Sequence, residues 1–178
     1  MGEAAWQACG AISGAMPMHT IRRCRDDETS AVLAIVNAAA EAYRDVIPAD
    51  RWHDPYMSGA QLDRDVAAGV EFWGYELEGA LIGVMGIQPV RDVDLIRHAY
   101  VRPGNQRLGV GSALIAHLRG SSTRRMLVGT WADAAWAIRF YQREGFELIP
   151  TPHAAALLKA YWDIPERQIE TSVVLERR

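Results

Sequence analysis

The residues from 104 to 112 form the arrangement with the clearest chemical meaning in this sequence. A strand-like segment ends near Val101, glycines stand at 109 and 111, and an apolar helical pattern follows directly. Backbone N–H groups at the start of a helix lack an intrahelical acceptor, and the helix dipole is positive there. Such a turn can bind a pyrophosphate, because glycines let the anion approach the backbone closely. Glycines at a helix start are also common for structural reasons, so this pattern alone leaves both interpretations open.

Two well-known phosphate-binding loops do not fit this turn. The Walker pattern requires Lys followed by Ser or Thr after its second glycine, but Val110 and Gly111 follow Gly109 here. The dinucleotide fingerprint requires a third glycine and an acidic residue about 20 positions later. Ile115 stands where that glycine is needed, and residues 121–125 contain no acid. We therefore exclude both loops.

The elements that must position this turn can be predicted from hydrophobic periodicity and turn residues. Strands are predicted over 19–24, 71–78, 80–88, 92–101, 125–131, 146–149 and 169–175. Helices are predicted from Asp26 or Asp27 to about residue 43, from Ser58 to Gly69, over 109–119, from Asp133 to Glu144, and over 154–161. This order predicts one mixed α/β domain.

Composition limits the class of protein. The 178 residues are 49% hydrophobic and 23% charged, which is typical of a globular domain. The net charge of -3 argues against a generally basic nucleic-acid binder. Two cysteines and scattered histidines predict neither a disulfide framework nor a metal site. The sequence has no apolar run of membrane-spanning length, so we expect no membrane partner and a reduced, cytoplasmic setting. Residues 1–17 are expected to be an N-terminal extension or an expression remnant, with the domain spanning 18–178.

Two spaced motifs resemble the GNAT acyltransferase superfamily. Residues 106–111 read Gln-Arg-Leu-Gly-Val-Gly, similar to that family's acetyl-CoA loop, Gln/Arg-x-x-Gly-x-Gly/Ala, with Val101 at the usual spacing before it. Residues 131–146 resemble the family's C-terminal helix with its Ala, its Tyr and a closing Gly-Phe. The resemblance covers 22–175 in element order. It implies a single α/β domain with a central, mostly antiparallel sheet, splayed strands 4 and 5, and helices on both faces.

The resemblance also implies acetyl-CoA as cosubstrate, bound in the gap between the splayed strands, with no metal. Backbone groups at 99–101 would pair with the pantetheine arm, and amides at 106–112 would hold the pyrophosphate. The implied cofactor-binding residues are Ala99, Tyr100, Val101, Gln106, Arg107, Leu108, Gly109, Val110, Gly111 and Ser112. Tyr141 matches the family tyrosine that protonates the departing thiolate, a role suited to a phenol of pKa about 10. Tyr141 could equally be a core aromatic packed against Phe140 and Phe146.

This sequence departs from the family pattern where a general base is expected. The family often has an Asn seven residues before the tyrosine, and Ala134 stands there. Its bases often lie six and four residues before Val101, and those positions hold Leu95 and Arg97. Neither side chain is a base at neutral pH. The base is unassigned, and the carboxylates that could receive the proton through water are Glu76, Asp94 and Glu170.

Regular alternation along the predicted strand places Arg97 on the same face as Leu95, Ala99 and Val101. His98 then lies on the other face, where a structural role is expected unless a bulge reverses the alternation. An arginine beside the cleft can bind a carboxylate in a bidentate grip. Arg97 therefore suggests an acceptor amine that also carries a carboxylate, although pairing with Asp94 or Glu170 inside the protein would remove that role.

Together these features predict an acetyl-CoA-dependent N-acetyltransferase that acts on the primary amine of a small molecule or a peptide end. The alternative is an acyl-CoA-binding sensor or regulatory module that has lost turnover, which the missing Asn and base positions favour. Besides Arg97, the residues predicted to bind the acceptor are Trp52, Tyr56 and Trp73. The oligomeric state is open, and Tyr161 with Trp162 is a candidate surface for a homodimer.

Overall fold

A computed structural model describes residues 18–178, so the predicted N-terminal extension lies outside the described residues. Seven strands form one mixed sheet in the order β1-β2-β3-β4-β5-β7-β6. The strands are β1 (His19–Arg23), β2 (Glu71–Leu77), β3 (Ala80–Val90), β4 (Val93–Val101), β5 (Arg125–Trp131), β6 (Glu147–Leu148) and β7 (Ser172–Arg177). Neighbouring strands are antiparallel except for the parallel pair β4–β5. The predicted mixed, mostly antiparallel sheet is confirmed.

Helices cover both faces of this sheet. They are α1 (Thr29–Ala40), α2 (Gly59–Ala67), α3 (Val110–Ser121), α4 (Ala135–Arg143), α5 (Thr151–Tyr161) and α6 (Glu166–Glu170). One face packs against α3 and α4 around Leu114, Ile115 and Tyr141. The opposite face packs against α1 and α2 around Ile35 and Leu62, and against α5 and α6 farther along the sheet.

Local sequence signals explain several boundaries. Ser58 caps α2 by accepting a hydrogen bond from the Gln61 amide at 3.2 Å. The β2–β3 hairpin turns at Glu78 and Gly79, which both have positive φ. Two boundary predictions are wrong. The helix predicted from Asp133 begins at Ala135, and Ala134 precedes it without a side-chain cap. Residues 166–170, partly predicted as strand, form the helix α6 after Pro165, because proline suits a helix start.

The parallel pair β4–β5 separates halfway along its length. Its register runs from Val93 opposite Arg125 to Ile96 opposite Val128. Beyond that point β4 remains paired with β3, and β5 with β7, but the two strands no longer pair with each other. The backbone of residues 97–101 therefore has an open edge facing β5, which confirms the predicted splay.

A β-bulge interrupts β4 at the start of this open segment. Val84 of β3 is opposite Tyr100, whereas Gly86 is opposite Arg97, so β4 contains one extra residue between these pairs. His98 lies in the bulge with φ of 49°, which is uncommon for a residue other than glycine. A bulge re-aims the side chains that follow it.

This bulge reverses the predicted alternation. Ala99 and Val101 pack on the α3 face, whereas Arg97 and His98 both contact Asp65 of α2 on the opposite face. The prediction that Arg97 shares a face with Ala99 and Val101 is therefore wrong. The extra residue brings His98 to the face that holds Arg97.

Candidate active site

The splayed strands open a cleft of about 760 Å³, here called the large cleft, on the α3 side of the sheet. The ends of α1, β4 and α3, together with one side of α4, form its walls. All of the predicted cofactor-binding residues except Leu108 line it, as does Tyr141. Leu108 is 67% exposed and points away from this lining. Residues 99–112 are thus brought together as the sequence motif predicted.

The start of α3 presents free backbone amides to this cleft. Gly109 precedes the helix in the left-handed conformation, with φ of 81° and ψ of 0°, which glycine adopts without steric cost. The Ala113 amide donates to the Gly109 carbonyl at 2.9 Å. The amides of Val110, Gly111 and Ser112 precede this first helical bond, so helix geometry leaves them without an intrahelical acceptor. Together with the helix dipole they form an anion-binding cradle.

Side chains around the cradle stabilise the loop and add charge. Gln106 donates from Nε2 to the Val101 carbonyl at 3.2 Å, which ties the loop to the end of β4. The Ser112 hydroxyl donates to Glu144 at 2.6 Å, so only the backbone of Ser112 remains free for a ligand. Arg107 and Arg143 both line the large cleft. Their positive charges favour an anionic ligand at this end.

Tyr141 lies deep in the site on α4. Its ring is 6% exposed and packs edge-on against Phe140 and Phe146, with centroid distances of 5.0 and 5.6 Å. Its hydroxyl makes no hydrogen bond with residues 18–178. Burial raises the pKa of Tyr141 well above its ordinary value, so the phenol stays protonated at neutral pH. Tyr141 is therefore a core aromatic residue that also lines the cleft and whose hydroxyl is protonated at neutral pH.

A second space, here called the small cavity, lies across the sheet and has a volume of about 160 Å³. It shares four lining residues with the large cleft: Tyr43, Ala99, Tyr100 and Tyr141. The two spaces therefore meet where β4 and β5 have separated.

The small cavity has mainly aromatic and neutral polar walls, including Tyr56, Trp131 and Trp162. Within the part of the chain that the structure describes, Arg97 is the only permanently charged side chain lining it. Burial, with the neighbouring Tyr56 hydroxyl, raises the pKa of Tyr43 to about 12. Among residues 18–178, no carboxylate lines the cavity, so this part of the chain offers no lining group that would attract a polycation.

Arg97, His98 and Asp65 form a hydrogen-bonded network on the wall of the small cavity. His98 Nε2 lies 3.0 Å from Asp65 Oδ2, and Arg97 donates to Asp65 Oδ1 at 3.3 Å and to Gln88 at 2.6 Å. The His98 ring also stacks on Phe72, at a centroid distance of 5.7 Å. Arg97 is thus paired inside the protein, but with partners other than the predicted Asp94 and Glu170.

The remaining predicted acceptor residues do not converge on one place. Tyr56 lines the small cavity and packs edge-on against Tyr100. Trp52 stacks on Tyr56 and lies under the Arg44 guanidinium, one layer behind the cavity wall. Trp73 packs against His117 of α3 and lines neither space.

The carboxylates named as proton acceptors lie away from both spaces. Glu76 pairs with Arg22, Asp94 with Ser122 and Arg124, and Glu170 with Arg167. None of the three lines the large cleft or the small cavity. His98 does line the small cavity. It lies opposite Ala99 and Val101, as predicted, but it shares that face with Arg97, and a structural role was expected for it there. Its position depends on the bulge, for which a single sequence gives no local signal.

Four other expectations from the sequence concern the surroundings of the site and the rest of the described chain. Ala134, at the position of the family's Asn, is fully buried beside Trp131 and contributes no polar group. The Tyr161 hydroxyl donates to Asp92 at 2.8 Å, and Trp162 lines the small cavity, so both side chains are engaged within this chain. Among residues 18–178, no three His, Cys, Asp or Glu side chains are grouped to hold a metal ion. No helix in this range is both long and apolar enough to cross a membrane.

Comparisons with known proteins agree with this geometry. The family described as "Acetyltransferase (GNAT) domain" matches residues 68–148, a range that contains the splayed strands, the cradle and Tyr141. Among curated proteins, no sequence is significantly similar to this chain.

Solved structures share the fold at low sequence identity. A PaiA N-acetyltransferase from Thermoplasma acidophilum, in complex with coenzyme A, superposes with a TM-score of 0.68 at 12% identity, over 90% of this chain and 99% of that one. The ribosomal-protein-S18-alanine N-acetyltransferase from Escherichia coli gives 0.62 at 17% identity, over 89% and 92%. A GNAT family acetyltransferase from Brucella melitensis, in complex with acetyl-CoA, gives 0.54 at 22% identity, over 74% and 84%.

Proposed function

Since this chain belongs to the GNAT superfamily of acetyltransferases, we propose that it transfers the acetyl group of acetyl-CoA to a primary amine. The observation that carries the proposal is the meeting of the two spaces at Tyr141, with an anion cradle at the far end of the larger one. A long phosphorylated thioester and a small acceptor can thus approach each other from opposite faces of the sheet.

The large cleft fits acetyl-CoA in its charge and hydrogen-bonding groups. The amides of Val110, Gly111 and Ser112 would donate hydrogen bonds to the pyrophosphate, with Arg107 and Arg143 adding positive charge. The open edge of residues 99–101 would pair with the amide groups of the pantetheine arm, as an added strand would. The thioester would then lie beside Tyr141.

The proposed reaction is direct attack of the acceptor nitrogen on the thioester carbonyl. A C–N bond forms, the C–S bond breaks, and the sulfur leaves as a thiolate that takes a proton. Tyr141 is the group suited to donate that proton, because burial keeps its hydroxyl protonated at neutral pH. This route needs no covalent intermediate on the protein.

The proposed acceptor is the amine of a small molecule or of a peptide end, bound in the small cavity. The small volume of about 160 Å³ favours a small reacting group, and the aromatic walls favour an acceptor whose remaining part is apolar. The absence of a lining carboxylate among residues 18–178 argues against polycationic acceptors. The peptide-end alternative is supported by similarity to the structures of ribosomal-protein alanine N-acetyltransferases.

The test is release of thiol from acetyl-CoA in the presence of single amines. The panel contains arylalkylamines, amino acids, their amides, and short peptides with a free N-terminal alanine, and each product is verified by mass spectrometry. Acetyl-CoA affinity is measured in parallel by calorimetry. Turnover of at least one amine supports the enzyme. Tight binding of acetyl-CoA with no turnover across the panel would instead support the sensor or regulatory module.

A further inference from the structure

Because of the bulge in β4, the side chain of His98 lines the small cavity. His98 follows Arg97 and immediately precedes Ala99, one of the residues shared by the cavity and the large cleft. The backbone of His98 is left-handed, with φ of 49°. In a regular strand, its ring would point to the opposite face of the sheet. Backbone strain of this kind persists when surrounding contacts enforce it, and it recurs at functional sites.

We propose that His98 is the general base of the acetyl transfer, taking a proton from the acceptor amine, and that Asp65 is its positioning residue. The inference rests on the proposed function and adds a proton acceptor to it, because among residues 18–178 no carboxylate lines either space. An amine arrives at neutral pH as an ammonium ion and cannot attack until it has lost a proton.

Asp65 determines which ring nitrogen of His98 is available. A carboxylate only accepts, so His98 Nε2, at 3.0 Å, must carry the hydrogen that it shares with Asp65. In the neutral ring the lone pair then lies on Nδ1, which makes no hydrogen bond with the described residues. Gln61 and Arg97 donate to the same carboxylate, and stacking on Phe72 fixes the ring plane. The imidazole is therefore held in one tautomer and one orientation.

The charges around the ring suit a base. The titratable or charged groups near it are Asp65 from α2, Arg97 beside it on β4, and the tyrosine hydroxyls of the cavity wall. Burial lowers the pKa of His98 below its ordinary value, although the hydrogen bond that the ring donates to Asp65 acts in the opposite direction. The pKa of Asp65 is also lowered, because its bonds to His98 and Gln61 outweigh its burial. At neutral pH the pair is a neutral imidazole beside a carboxylate.

The protons balance in this scheme. The acceptor ammonium loses two protons in becoming an amide. His98 takes the first at Nδ1 and later releases it to solvent. Tyr141 gives its own proton to the departing sulfur and is restored by the second proton from the nitrogen. The products are the acetylated amine, the free thiol and one proton in solution.

The experiment compares three variants with the wild type. His98→Gln keeps a donor toward Asp65 and removes the base, and His98→Asn tests the same loss with a residue that tolerates positive φ. Asp65→Asn removes the positioning carboxylate. His117→Gln is the matched control, because it replaces a partly buried histidine that lines neither space. Thermal melts and acetyl-CoA calorimetry identify the variants that remain folded with the cofactor cleft intact.

The readout is kcat/KM against pH for the best amine of the panel and for an analogue with a trifluoromethyl group on the carbon that bears the nitrogen. The three fluorines lower the basicity of the amine enough that the analogue is already deprotonated at neutral pH. The His98 variants should lose about 10²-fold or more with the parent amine, the range of general-base catalysis, and much less with the analogue. Asp65→Asn should move the acidic limb of the profile to lower pH, because the carboxylate supports the protonated imidazole.

The alternatives give different results. A folded His98 variant that keeps kcat/KM within about threefold of wild type would overturn the proposal, since that is far below general-base magnitudes. Equal losses with both amines would also overturn it, because they would indicate a structural role. Absence of turnover by the wild type, with acetyl-CoA still bound, would remove the proposed function itself, and with it the base.

Discussion

Replacing Tyr141 with phenylalanine removes one hydroxyl and keeps the ring. The ring is 6% exposed and is held between Phe140 and Phe146, contacts that phenylalanine preserves. Because the hydroxyl has no hydrogen-bond partner among residues 18–178, its removal leaves no other group unpaired. We therefore expect the free energy of unfolding to change by less than about 1 kcal/mol. The thermal melt and the affinity for acetyl-CoA should match those of the wild type.

The catalytic effect of Tyr141→Phe should be much larger. Loss of a general acid commonly lowers the rate about 10²- to 10⁴-fold. At about 1.36 kcal/mol per tenfold, this raises the barrier by about 2.7–5.4 kcal/mol. In the wild type, the strongly raised pKa of Tyr141 predicts no alkaline loss of kcat from this group up to about pH 10, the ordinary phenol value.

The assay is the initial rate of thiol release with saturating acetyl-CoA and the best amine of the panel. Tyr75→Phe is the matched control, because Tyr75 stacks on His19 and lines neither space. A decrease in kcat of less than about threefold in Tyr141→Phe would refute the reasoning and leave Tyr141 as a packing residue only.

Three further variants test the cradle, the cavity wall and the pH dependence of stability. Gly109→Ala should lower the free energy of unfolding by about 1–2 kcal/mol, because an alanine is strained at a φ of +81°. No neighbouring atom obstructs the added Cβ, so backbone strain is the only cost expected. An unchanged midpoint in urea titrations would contradict this. Arg97 already donates to Gln88 and Asp65, so it can select an acceptor with a carboxylate only through its remaining N–H groups. If it does, the wild type should prefer a free amino acid to its amide and Arg97→Met should lose that preference. Equal use of acid and amide by the wild type would exclude this role. Arg22 lowers the pKa of Glu28 to about 2, so this ion pair stabilises the fold above pH 4.5 and its contribution is lost as the pH falls toward 2. The stability difference between wild type and Glu28→Gln should therefore narrow over that range, and a constant difference would show that the pair does not act in this way.

The parts of the site that are encoded by consecutive residues could be predicted from the sequence. The cradle depends on Gly109, Gly111 and the helix that begins between them, so its geometry follows from local backbone preferences. The splay of β4 and β5 and the position of Tyr141 followed from resemblance over two spaced motifs. Neither would follow from periodicity alone.

The acceptor side could not be predicted, because it depends on contacts between distant segments. The phase of β4 after Arg97 is set by its register with β3, and a single extra residue moves His98 to the opposite face. Asp65 belongs to the charged run Asp63-Arg64-Asp65, which is typical of a solvated helix face, yet its side chain is buried against a histidine 33 positions away. Trp73 was predicted to bind the acceptor, but it packs against the hydrophobic core. An aromatic residue on a strand suits a core as well as a pocket, so its type alone does not distinguish the two.

A crystal structure of the protein with acetyl-CoA would test the central claim most directly. It should show the pyrophosphate on the amides of Val110, Gly111 and Ser112, and the pantetheine arm along residues 99–101 with the thioester beside the Tyr141 hydroxyl. Acetyl-CoA bound elsewhere, or in the large cleft with its thioester directed away from Tyr141 and the small cavity, would contradict the account.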